Sequence, residues 1–445
     1  MRMAATLLRN ATIVTMNEQD DLIVGDVLIR DDVIVAVGGQ VTDYDAESTT
    51  IIEAKGKLLL PGFVQTHIHL CQTLFRGQAD DMALMDWLRT RVWPLEAAHD
   101  EESVYYSAML GIGELLRSGT TTILDMETVS HTDSAFQAMA ASGIRAISGK
   151  VMMDAGGDVP IGLQEDTDRS IAESTELLER WHGHDGGRIS YAYCPRFVVS
   201  CSERLLMEVR DLSAKYNVLV HTHAAENREE IELVMSQRGM RNIVYLDHIG
   251  LTSPRLVLAH CIWLDEEERE ILKRTGTKMT HCPGSNLKLA SGIALVPELL
   301  EQGIGIGIGA DGAPCNNTLD MFQEMKLTAL LHKVRCGPES MNARTVLRMA
   351  TIGGARTLGL DHLIGSVEVG KKADLVLLDL NDFHTFPSYD ADPYSRVVYA
   401  ASRGNVSHVW VDGKLVVDRG KVKTIDKRLV LREADRSIAR LLKRI

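Results

Sequence analysis

Residues 61–70 read PGFVQTHIHL, an apolar run that ends in two histidines one residue apart. If the run forms a strand, residues two apart point to the same side, so the imidazoles of His67 and His69 project together. Two imidazoles on one face can share a metal ion, or they can simply be polar residues at the end of a strand. The rest of the chain has to decide between these two interpretations.

Seven segments further along the chain also have the composition of strands, and amphipathic stretches such as 101–119 and 202–217 separate most of them. Eight strand–helix units over about 300 residues predict an α/β fold of the (β/α)8 barrel type. A doubly wound open sheet is the alternative. Such a sheet does not need eight strands, and no Gly-x-Gly-x-x-Gly motif opens a helix after the first strand. The eight segments are FVQTHIH (63–69), TTTILDM (120–126), RAISGKVMMD (145–154), ISYAYCP (189–195), VLVHTHAAE (218–226), LVLAHC (256–261), KMTHCP (278–283) and GIGIGIGAD (303–311).

The two ends of the chain are alike in character and differ from the middle. Residues 1–60 read as short β segments broken by turns, and residues 365–445 continue in the same style before a closing helix with Arg and Lys. Flanking segments of this kind usually pair with each other. We therefore expect a small composite β-sandwich domain from residues 1–60 and 365–445, around a barrel formed by residues 61–364. At 445 residues the chain is long for one compact domain, which fits two units.

Composition and charge limit the partners. The net charge of -13 argues against nonspecific binding to nucleic acid or to an anionic membrane. Because no run of about 18 apolar residues occurs, we predict neither a signal peptide nor a transmembrane helix. The seven cysteines are scattered and form no Cys-x-x-Cys pair, as in a reduced, cytoplasmic protein without disulfides. We expect a cytoplasmic protein that acts on a small molecule.

Histidine and aspartate recur at the carboxyl ends of the predicted strands, and in a barrel these ends meet at one rim. Three imidazoles and one carboxylate suit a divalent ion such as zinc, with iron or manganese as alternatives. His221 is two residues before His223, so it points to the same side of the strand and is an alternative ligand. His223 is preferred because Glu226 follows it by three residues, where a carboxylate can reach a substrate. The ligands assigned in this way are His67, His69, His223 and Asp311.

The same strand ends supply groups for hydrolysis. A divalent ion lowers the pKa of a bound water to about 7. Asp311 can accept the proton of that water, and His260 can hold or polarise it. Glu226 can then protonate the ring nitrogen of an amidine-like substrate. His281 ends another predicted strand and is a candidate substrate contact. The alternative is that Glu226 merely begins a helix and that His260 is a core histidine.

The segments PGFVQTHIHL, HTHAAE, LAHC, HCPGSNLKLASG and GADGAPCNN resemble the amidohydrolase superfamily, and within it the branch of deaminases and chlorohydrolases. The resemblance covers nearly the whole chain and implies the ligand set and the catalytic roles given above. Members with two metals bridge them through a carboxylated lysine at the end of strand four, where residues 191–198 read YAYCPRFV. One metal ion per chain is therefore expected. Members are often dimers or tetramers, so a homo-oligomer is expected too.

Residues 74–102, LFRGQADDMALMDWLRTRVWPLEAAHDEE, resemble the same stretch in deaminases of S-adenosylhomocysteine, methylthioadenosine and 5'-deoxyadenosine. The resemblance implies that Glu96 binds both ribose hydroxyls. Trp87 can pack against the nucleoside, or it can be a core residue. This chain has Arg196 where those enzymes have a histidine, which makes Arg196 a further candidate for substrate binding.

The 5' group of the substrate is expected to be small. The related enzymes hold the carboxylate of S-adenosylhomocysteine with arginines after strand three, where this chain has Lys150 and no arginine. Lysine is a weaker substitute for a bidentate arginine. The candidates are 5'-deoxyadenosine, methylthioadenosine and adenosine. The alternatives are an s-triazine hydrolase, a deaminase of a guanine or 8-oxoguanine type base, and a relative without catalytic activity, which the retained ligand set makes less favourable.

Overall fold

The computed structural model describes residues 5–157 and 159–445. Its amino-terminal part forms short strands, two of which contain consecutive buried residues. In β1 the register with β2 shifts between Leu8 and Ala11, which marks a bulge. These strands are β1 (Ala5–Val14), β2 (Leu22–Arg30), β3 (Val33–Val37), β4 (Thr49–Glu53) and β5 (Leu58–Pro61).

The middle of the chain forms the predicted (β/α)8 barrel. Its strands pair in parallel in the order β6, β7, β8, β10, β11, β12, β13 and β14, and β14 returns to β6, so the barrel is closed. Two predicted strands are each split into two short pieces. The strands are β6 (Phe63–His69), β7 (Thr120–Met126), β8 (Arg145–Gly149), β9 (Val151–Met152), β10 (Ile189–Pro195), β11 (Leu219–Ala224), β12 (Leu256–His260), β13 (Lys278–His281), β14 (Ile306–Ile308) and β15 (Asp311–Gly312).

The carboxyl-terminal strands join the amino-terminal ones, as expected from the likeness of the two ends. They are β16 (Leu375–Leu378), β17 (Val406–Val411), β18 (Lys414–Asp418) and β19 (Lys421–Val422). Among the described residues, hydrogen bonds join both ends into one mixed sheet of nine strands, in the order β19-β18-β17-β16-β5-β1-β2-β3 with β4 beside β1. This sheet has an apolar core of its own, which includes Leu8, Ile13, Leu377 and Trp410. The domain boundaries at residues 60 and 365 remain a prediction.

Helices lie between most barrel strands, and polar caps begin several of them. Asp100 and Ser103 form a capping box before β7, and Asp265 and Glu268 form another before β13. No helix within the described ranges combines the length and apolarity needed to span a membrane. The helices are α1 (Leu84–Trp87), α2 (Trp93–Ala97), α3 (Glu101–Arg117), α4 (Thr132–Ser142), α5 (Thr167–Trp181), α6 (His184–Gly187), α7 (Glu203–Tyr216), α8 (Arg228–Arg238), α9 (Asn242–His248), α10 (Glu266–Thr275), α11 (Pro283–Lys288), α12 (Val296–Glu301), α13 (Ala313–Asn316), α14 (Met321–Cys336), α15 (Ala343–Ala350), α16 (Ile352–Thr357), α17 (Pro393–Ser395) and α18 (Lys427–Leu441).

A buried ion pair joins the barrel to the mixed sheet. Arg145, the first residue of β8, donates to both carboxylate oxygens of Asp374, at 2.7 and 3.0 Å, and to Asp412 at 2.8 Å. The backbone N–H of Asp412 also donates to Asp374. Burial alone would lower the pKa of Arg145, but the two carboxylates outweigh it and raise that pKa above its ordinary value. The guanidinium therefore stays charged and fixes β8 against the sheet.

Replacing Arg145 with Met should destabilise the protein strongly, because it leaves the buried carboxylate of Asp374 without its cation. Breaking a buried pair in this way costs about 3–5 kcal/mol. Urea unfolding at neutral pH measures the change in the free energy of unfolding. The control is Arg169→Ala, which removes an exposed pair with Glu173 on α5 and should leave stability almost unchanged. Equal effects of the two substitutions would contradict a structural role for the Arg145 pair.

Candidate metal centre and active site

The ends of β6 and β15 bring two histidines and an aspartate together. Asp311 pairs with Ile68 in the parallel register of these strands, and its φ of 61° departs from the strand conformation. Its carboxylate lies beside the imidazoles of His67 and His69. The Nε2 atoms of both histidines lie 3.3 Å from Asp311 Oδ1. From β11, His223 adds a third imidazole, whose Nε2 lies 3.3 Å from Nε2 of His69. Three strand ends thus supply the four residues of one cluster.

These separations fit a tetrahedral ion. An ion bound at about 2.0–2.1 Å by nitrogen and oxygen keeps neighbouring ligand atoms about 3.3–3.4 Å apart. The donor atoms of His67, His69 and His223 all lie within 4.8 Å of one another, and so do those of His67, His260 and Asp311. His67 Nε2 is buried and has no hydrogen-bond partner among the described residues. The cluster therefore has the donor set and the spacing that a divalent ion needs.

Backbone carbonyls orient two of the imidazoles. His69 donates from Nδ1 to the carbonyl of Met126 at 2.7 Å, and His223 donates from Nδ1 to the carbonyl of Arg196 at 2.7 Å. A carbonyl only accepts, so in each ring Nδ1 carries the proton and Nε2 keeps its lone pair. Hydrogen bonds of this kind fix both the tautomer and the direction of a metal-binding histidine.

His221 supports His67. It donates from Nδ1 to the carbonyl of Val257 at 2.9 Å, which leaves its Nε2 as an acceptor. His67 Nδ1 lies 2.7 Å from that Nε2 and donates to it. His67 thus turns Nε2 toward Asp311, while both nitrogens of His221 are already used. Although His221 and His223 share one face of β11, only His223 directs a free nitrogen to the cluster.

Burial sets the charges in the cluster. It lowers the pKa of His69 to about 3 and lowers that of His67 as well, so both rings are neutral at pH 7. Burial works against ionisation of Asp311, but the electrostatic effect of the neighbouring rings of His67, His260 and His69 holds its pKa well below the usual range. Neutral imidazoles and an ionised carboxylate are the forms that bind a cation.

His260 and Glu226 lie next to the cluster. His260 Nε2 lies 3.5 Å from Glu226 Oε2 and 3.8 Å from Asp311 Oδ2. Burial alone would lower the pKa of His260, but these two carboxylates raise it above its ordinary value. His260 and Asp311 have φ of 73° and 61°, in the left-handed region that few residues other than glycine adopt. Such backbone strain tends to accumulate at functional sites.

Burial raises the pKa of Glu226 to about 7, so its carboxyl can hold or release a proton near neutral pH. Glu230, on the first turn of α8, accepts the backbone N–H of Glu226 at 2.8 Å and fixes its position. A carboxyl with this pKa, in a cavity beside the imidazole of His260, is suited to proton transfer.

The structure places two of the predicted substrate contacts on the cavity wall. Trp87 is buried there, with Leu84 and Leu88 beside it, and Arg196 lies next to His223. Gln72, Phe197, Glu230 and Leu289 also line the cavity, although we did not predict them. Gln72 could have been recognised from its place three residues after His69. The cavity is lined by His69, Gln72, Leu84, Trp87, Leu88, Arg196, Phe197, His223, Glu226, Glu230, His260, Leu289 and Asp311.

Glu96 lies one layer behind the cavity wall. Arg196 donates to its two carboxylate oxygens at 2.6 and 3.3 Å, and Gln72 donates to it at 2.8 Å. All three side chains are buried. A carboxylate accepts about four hydrogen bonds, and three are in use here. Glu96 is therefore linked to the cavity through Gln72 and Arg196, which lie on its wall.

His281 does not reach the cavity. Its neighbour Thr280 donates to the hydroxyl of Thr66 on β6, and successive strand residues point to opposite sides, so His281 faces away. Its ring lies 5.4 Å from that of His332 on α14, and both rings are buried among the described residues without a hydrogen-bond partner. The position at a strand end suggested a substrate contact, but the side chain is turned toward the helices. We therefore leave His281 out of the substrate contacts proposed below.

Comparison with known proteins identifies the family. Residues 58–416 match the amidohydrolase family. A 5'-deoxyadenosine deaminase of Methanobrevibacter smithii is 40% identical over 94% of this chain and 94% of its own. A 5-methylthioadenosine/S-adenosylhomocysteine deaminase of Syntrophomonas wolfei is 38% identical over 98% of this chain and 99% of its own.

Among solved structures, an adenosine deaminase of Xanthomonas campestris with bound zinc is similar over 99% of both chains, with a TM-score of 0.90 and 33% identity. The match thus includes the barrel, the mixed sheet and the strand ends that carry the cluster. The chain belongs to the amidohydrolase family and is a hydrolase that acts on C–N bonds.

Proposed function

We propose that the chain is a metal-dependent deaminase that hydrolyses an adenosine derivative with a small 5' group to the inosine analogue and ammonia. The observation that carries the proposal is the carboxyl of Glu226, whose pKa of about 7 lets it donate a proton beside the cluster of imidazoles and Asp311. The deaminase relatives support the substrate class. The candidate substrates are 5'-deoxyadenosine, methylthioadenosine and adenosine.

One divalent ion per chain would be held by His67, His69, His223 and Asp311. Zinc is the first choice, because three nitrogens and one oxygen at tetrahedral spacing are its usual ligands, and iron and manganese are the alternatives. Such an ion, when bound, acts as a Lewis acid and lowers the pKa of a coordinated water to about 7.

The residues around the cluster divide the proton transfers between them. As water adds to the ring carbon that bears the amino group, Asp311 takes the water's proton and Glu226 gives its proton to the adjacent ring nitrogen. The ring of His260, whose Nε2 lies 3.8 Å from Asp311, orients the attacking oxygen. The C–N bond then breaks: ammonia leaves with the proton from Asp311, and the new hydroxyl returns a proton to Glu226. The net reaction consumes one water and releases one ammonia.

Glu96 would bind the ribose hydroxyls. Two hydroxyls need two acceptor positions on its carboxylate, and the contacts from Arg196 and Gln72 leave about one free. A nucleoside therefore requires at least one of these two donors to turn aside. Because Arg196 lies on the cavity wall, its guanidinium can move from Glu96 to an acceptor on the substrate.

The contacts of Lys150 support a small 5' group. Its Nζ pairs with the carboxylate of Glu165 and donates to the carbonyl of Val129 at 2.7 Å. The side chain is 1% exposed. An ammonium that is already buried and neutralised is poorly placed to bind the amino-acid carboxylate of a larger substrate.

A second candidate is a deaminase of a guanine or 8-oxoguanine type base, or an s-triazine hydrolase, with the same metal centre. The observation that favours it is the pairing of Glu96 with Arg196 and Gln72, which gives Glu96 a structural role without any ribose. We further propose that the enzyme works in the cytoplasm on a small molecule, as a homo-oligomer. The seven free thiols support a reducing compartment.

The purified protein should contain about one divalent ion per chain, measured by inductively coupled plasma mass spectrometry. His223→Ala should lose it, because one of the four ligands is gone. His221→Ala should still bind the ion, with affinity about 10- to 100-fold weaker, because it removes only the hydrogen bond that orients His67. Two ions per chain, or the reverse order of the two variants, would overturn the ligand assignment.

Replacing Glu226 with Gln should lower kcat by about 100- to 10,000-fold and leave the metal content unchanged, because the amide cannot donate a carboxyl proton to the ring nitrogen. Ammonia release and metal analysis on the same sample measure both. The control is Glu232→Gln, which changes an exposed carboxylate on α8, the helix that follows Glu226, and should keep full activity. Loss of the metal in Glu226→Gln, or retention of most activity, would show that the proposed role is wrong.

The role of Glu96 can be tested by changing the substrate together with the enzyme. The wild type should prefer adenosine over 2',3'-dideoxyadenosine by roughly tenfold to a thousandfold in kcat/KM, since hydrogen bonds to a charged group contribute about 1.5–3 kcal/mol each. Glu96→Ala should lose this preference. The variant also leaves Arg196 unpaired, but that effect applies to both substrates and cancels in the ratio. An unchanged ratio would show that Glu96 is purely structural.

A further inference from the structure

One segment of the chain contacts Asp311, to which we assign proton transfer, and His260, to which we assign the orientation of the attacking oxygen. It runs from Pro283 to Gly292, follows β13 and contains α11. Its sequence, PGSNLKLASG, is part of a motif that carries the family resemblance but has no role in the proposal so far. We infer that Ser285 and Asn286 are positioning residues, which hold the carboxylate of Asp311 and the ring of His260 in the orientation that hydrolysis requires. The inference rests on the function proposed above.

Ser285 fixes the carboxylate of Asp311. Its hydroxyl donates to Asp311 Oδ2 at 2.7 Å, while the backbone N–H of Gly312 donates to Oδ1 at 2.8 Å. A carboxylate turns easily about its last bond, since that torsion has no sharp minima. The two donors decide that Oδ1 faces His67 and His69 and that Oδ2 faces His260. The two oxygens of Asp311 can then serve the metal cluster and the proton transfer separately.

Asn286 fixes the ring of His260. The distance from His260 Nδ1 to Asn286 Oδ1 is 2.9 Å. An amide oxygen only accepts, so Nδ1 carries a proton and Nε2 points toward the carboxylates of Glu226 and Asp311. Asn286 is 1% exposed, so bulk solvent does not replace its oxygen as the hydrogen-bond acceptor. Without it the ring loses the contact that sets both its rotation and its tautomer.

The segment itself is held rigidly at both ends. The N–H of Gly284 donates to Glu324 Oε2 at 3.0 Å, and a Cβ at Gly284 would lie 2.7 Å from Oε1 of the same carboxylate. At the other end Gly292 has φ of 134°, and a Cβ there would lie 2.8 Å from the Trp263 ring. Between them the N–H of Ser291 donates to the carbonyl of Asn286 at 2.9 Å. A fixed backbone is what a positioning residue needs.

A double-mutant cycle tests whether Asn286 positions His260. Asn286→Ala should lower kcat by about 10- to 100-fold in the wild-type background, as expected when a reacting group is misplaced by about 1 Å. In the His260→Ala background the same substitution should change kcat by less than about twofold, because Asn286 acts only through His260. Ammonia release at high enzyme concentration measures kcat in both backgrounds. Multiplicative losses in the double variant would overturn the inference.

The variant Ser285→Ala distinguishes a positioning role of Ser285 from a role in folding. Ser285→Ala should lower kcat by about 10- to 100-fold, while KM, the midpoint of thermal unfolding and the metal content stay close to wild type. The control is Ser213→Ala, which should keep full kcat. It removes another buried serine hydroxyl, which donates to the carbonyl of Val218 and lies far from Ser285 in the sequence. Wild-type kcat in Ser285→Ala, or loss of the metal, would overturn the inference.

Both arms can be run on any substrate that releases ammonia. If the true substrate is a base or a triazine, the nucleoside proposal fails while the effects of Ser285→Ala and Asn286→Ala persist. If adenosine derivatives are substrates and neither variant is impaired, the positioning inference fails alone. The two failures are therefore distinguishable.

Discussion

Three imidazole nitrogens and one carboxylate oxygen meet in the buried mouth of the barrel and determine how the surrounding residues are arranged. The donor atoms of His69 lie 3.3 Å from those of Asp311 and His223, and His67 Nε2 lies 3.3 Å from Asp311. Their lone pairs converge, and converging acceptors are unfavourable in a buried site unless a cation lies between them. The strands place the residues, but the hydrogen bonds to Met126, to Arg196 and between His67 and His221 give the nitrogens their direction. The surrounding backbone is strained at His260 and Asp311, which the closed barrel must stabilise.

Most of the fold could be predicted because its signals are local. All eight strand candidates are barrel strands, and the two chain ends pair into one sheet. The metal cluster followed because parallel strands end at one rim, which turns positions far apart in sequence into neighbours. The choice between His221 and His223 was harder, since both lie on one face of β11. Their positions in the sequence cannot separate them, and the structure favours His223 because Nε2 of His221 already accepts a hydrogen bond from His67.

What the sequence could not supply depends on contacts between distant side chains. Glu96 and Arg196 are 100 residues apart in the chain and form a buried pair that no local pattern indicates. The direction of His281 is set by the side of β13 on which it falls, so a strand-end rule alone assigned it to the cavity. Ser285 and Asn286 belong to the motif HCPGSNLKLASG, but their partners Asp311 and His260 lie on other strands. Pairings of this kind require the tertiary structure.

We propose that one hydrolytic centre acts on a nucleoside whose ribose is held at Glu96 and whose 5' group is small. The most direct measurement is the release of ammonia by the metal-replete protein from a panel of 5'-deoxyadenosine, methylthioadenosine, adenosine, S-adenosylhomocysteine, guanine, cytosine and an amino-s-triazine. The account predicts the highest kcat/KM for 5'-deoxyadenosine or methylthioadenosine, with S-adenosylhomocysteine below them. Activity confined to a free base or a triazine, with none on any adenosine derivative, would contradict it.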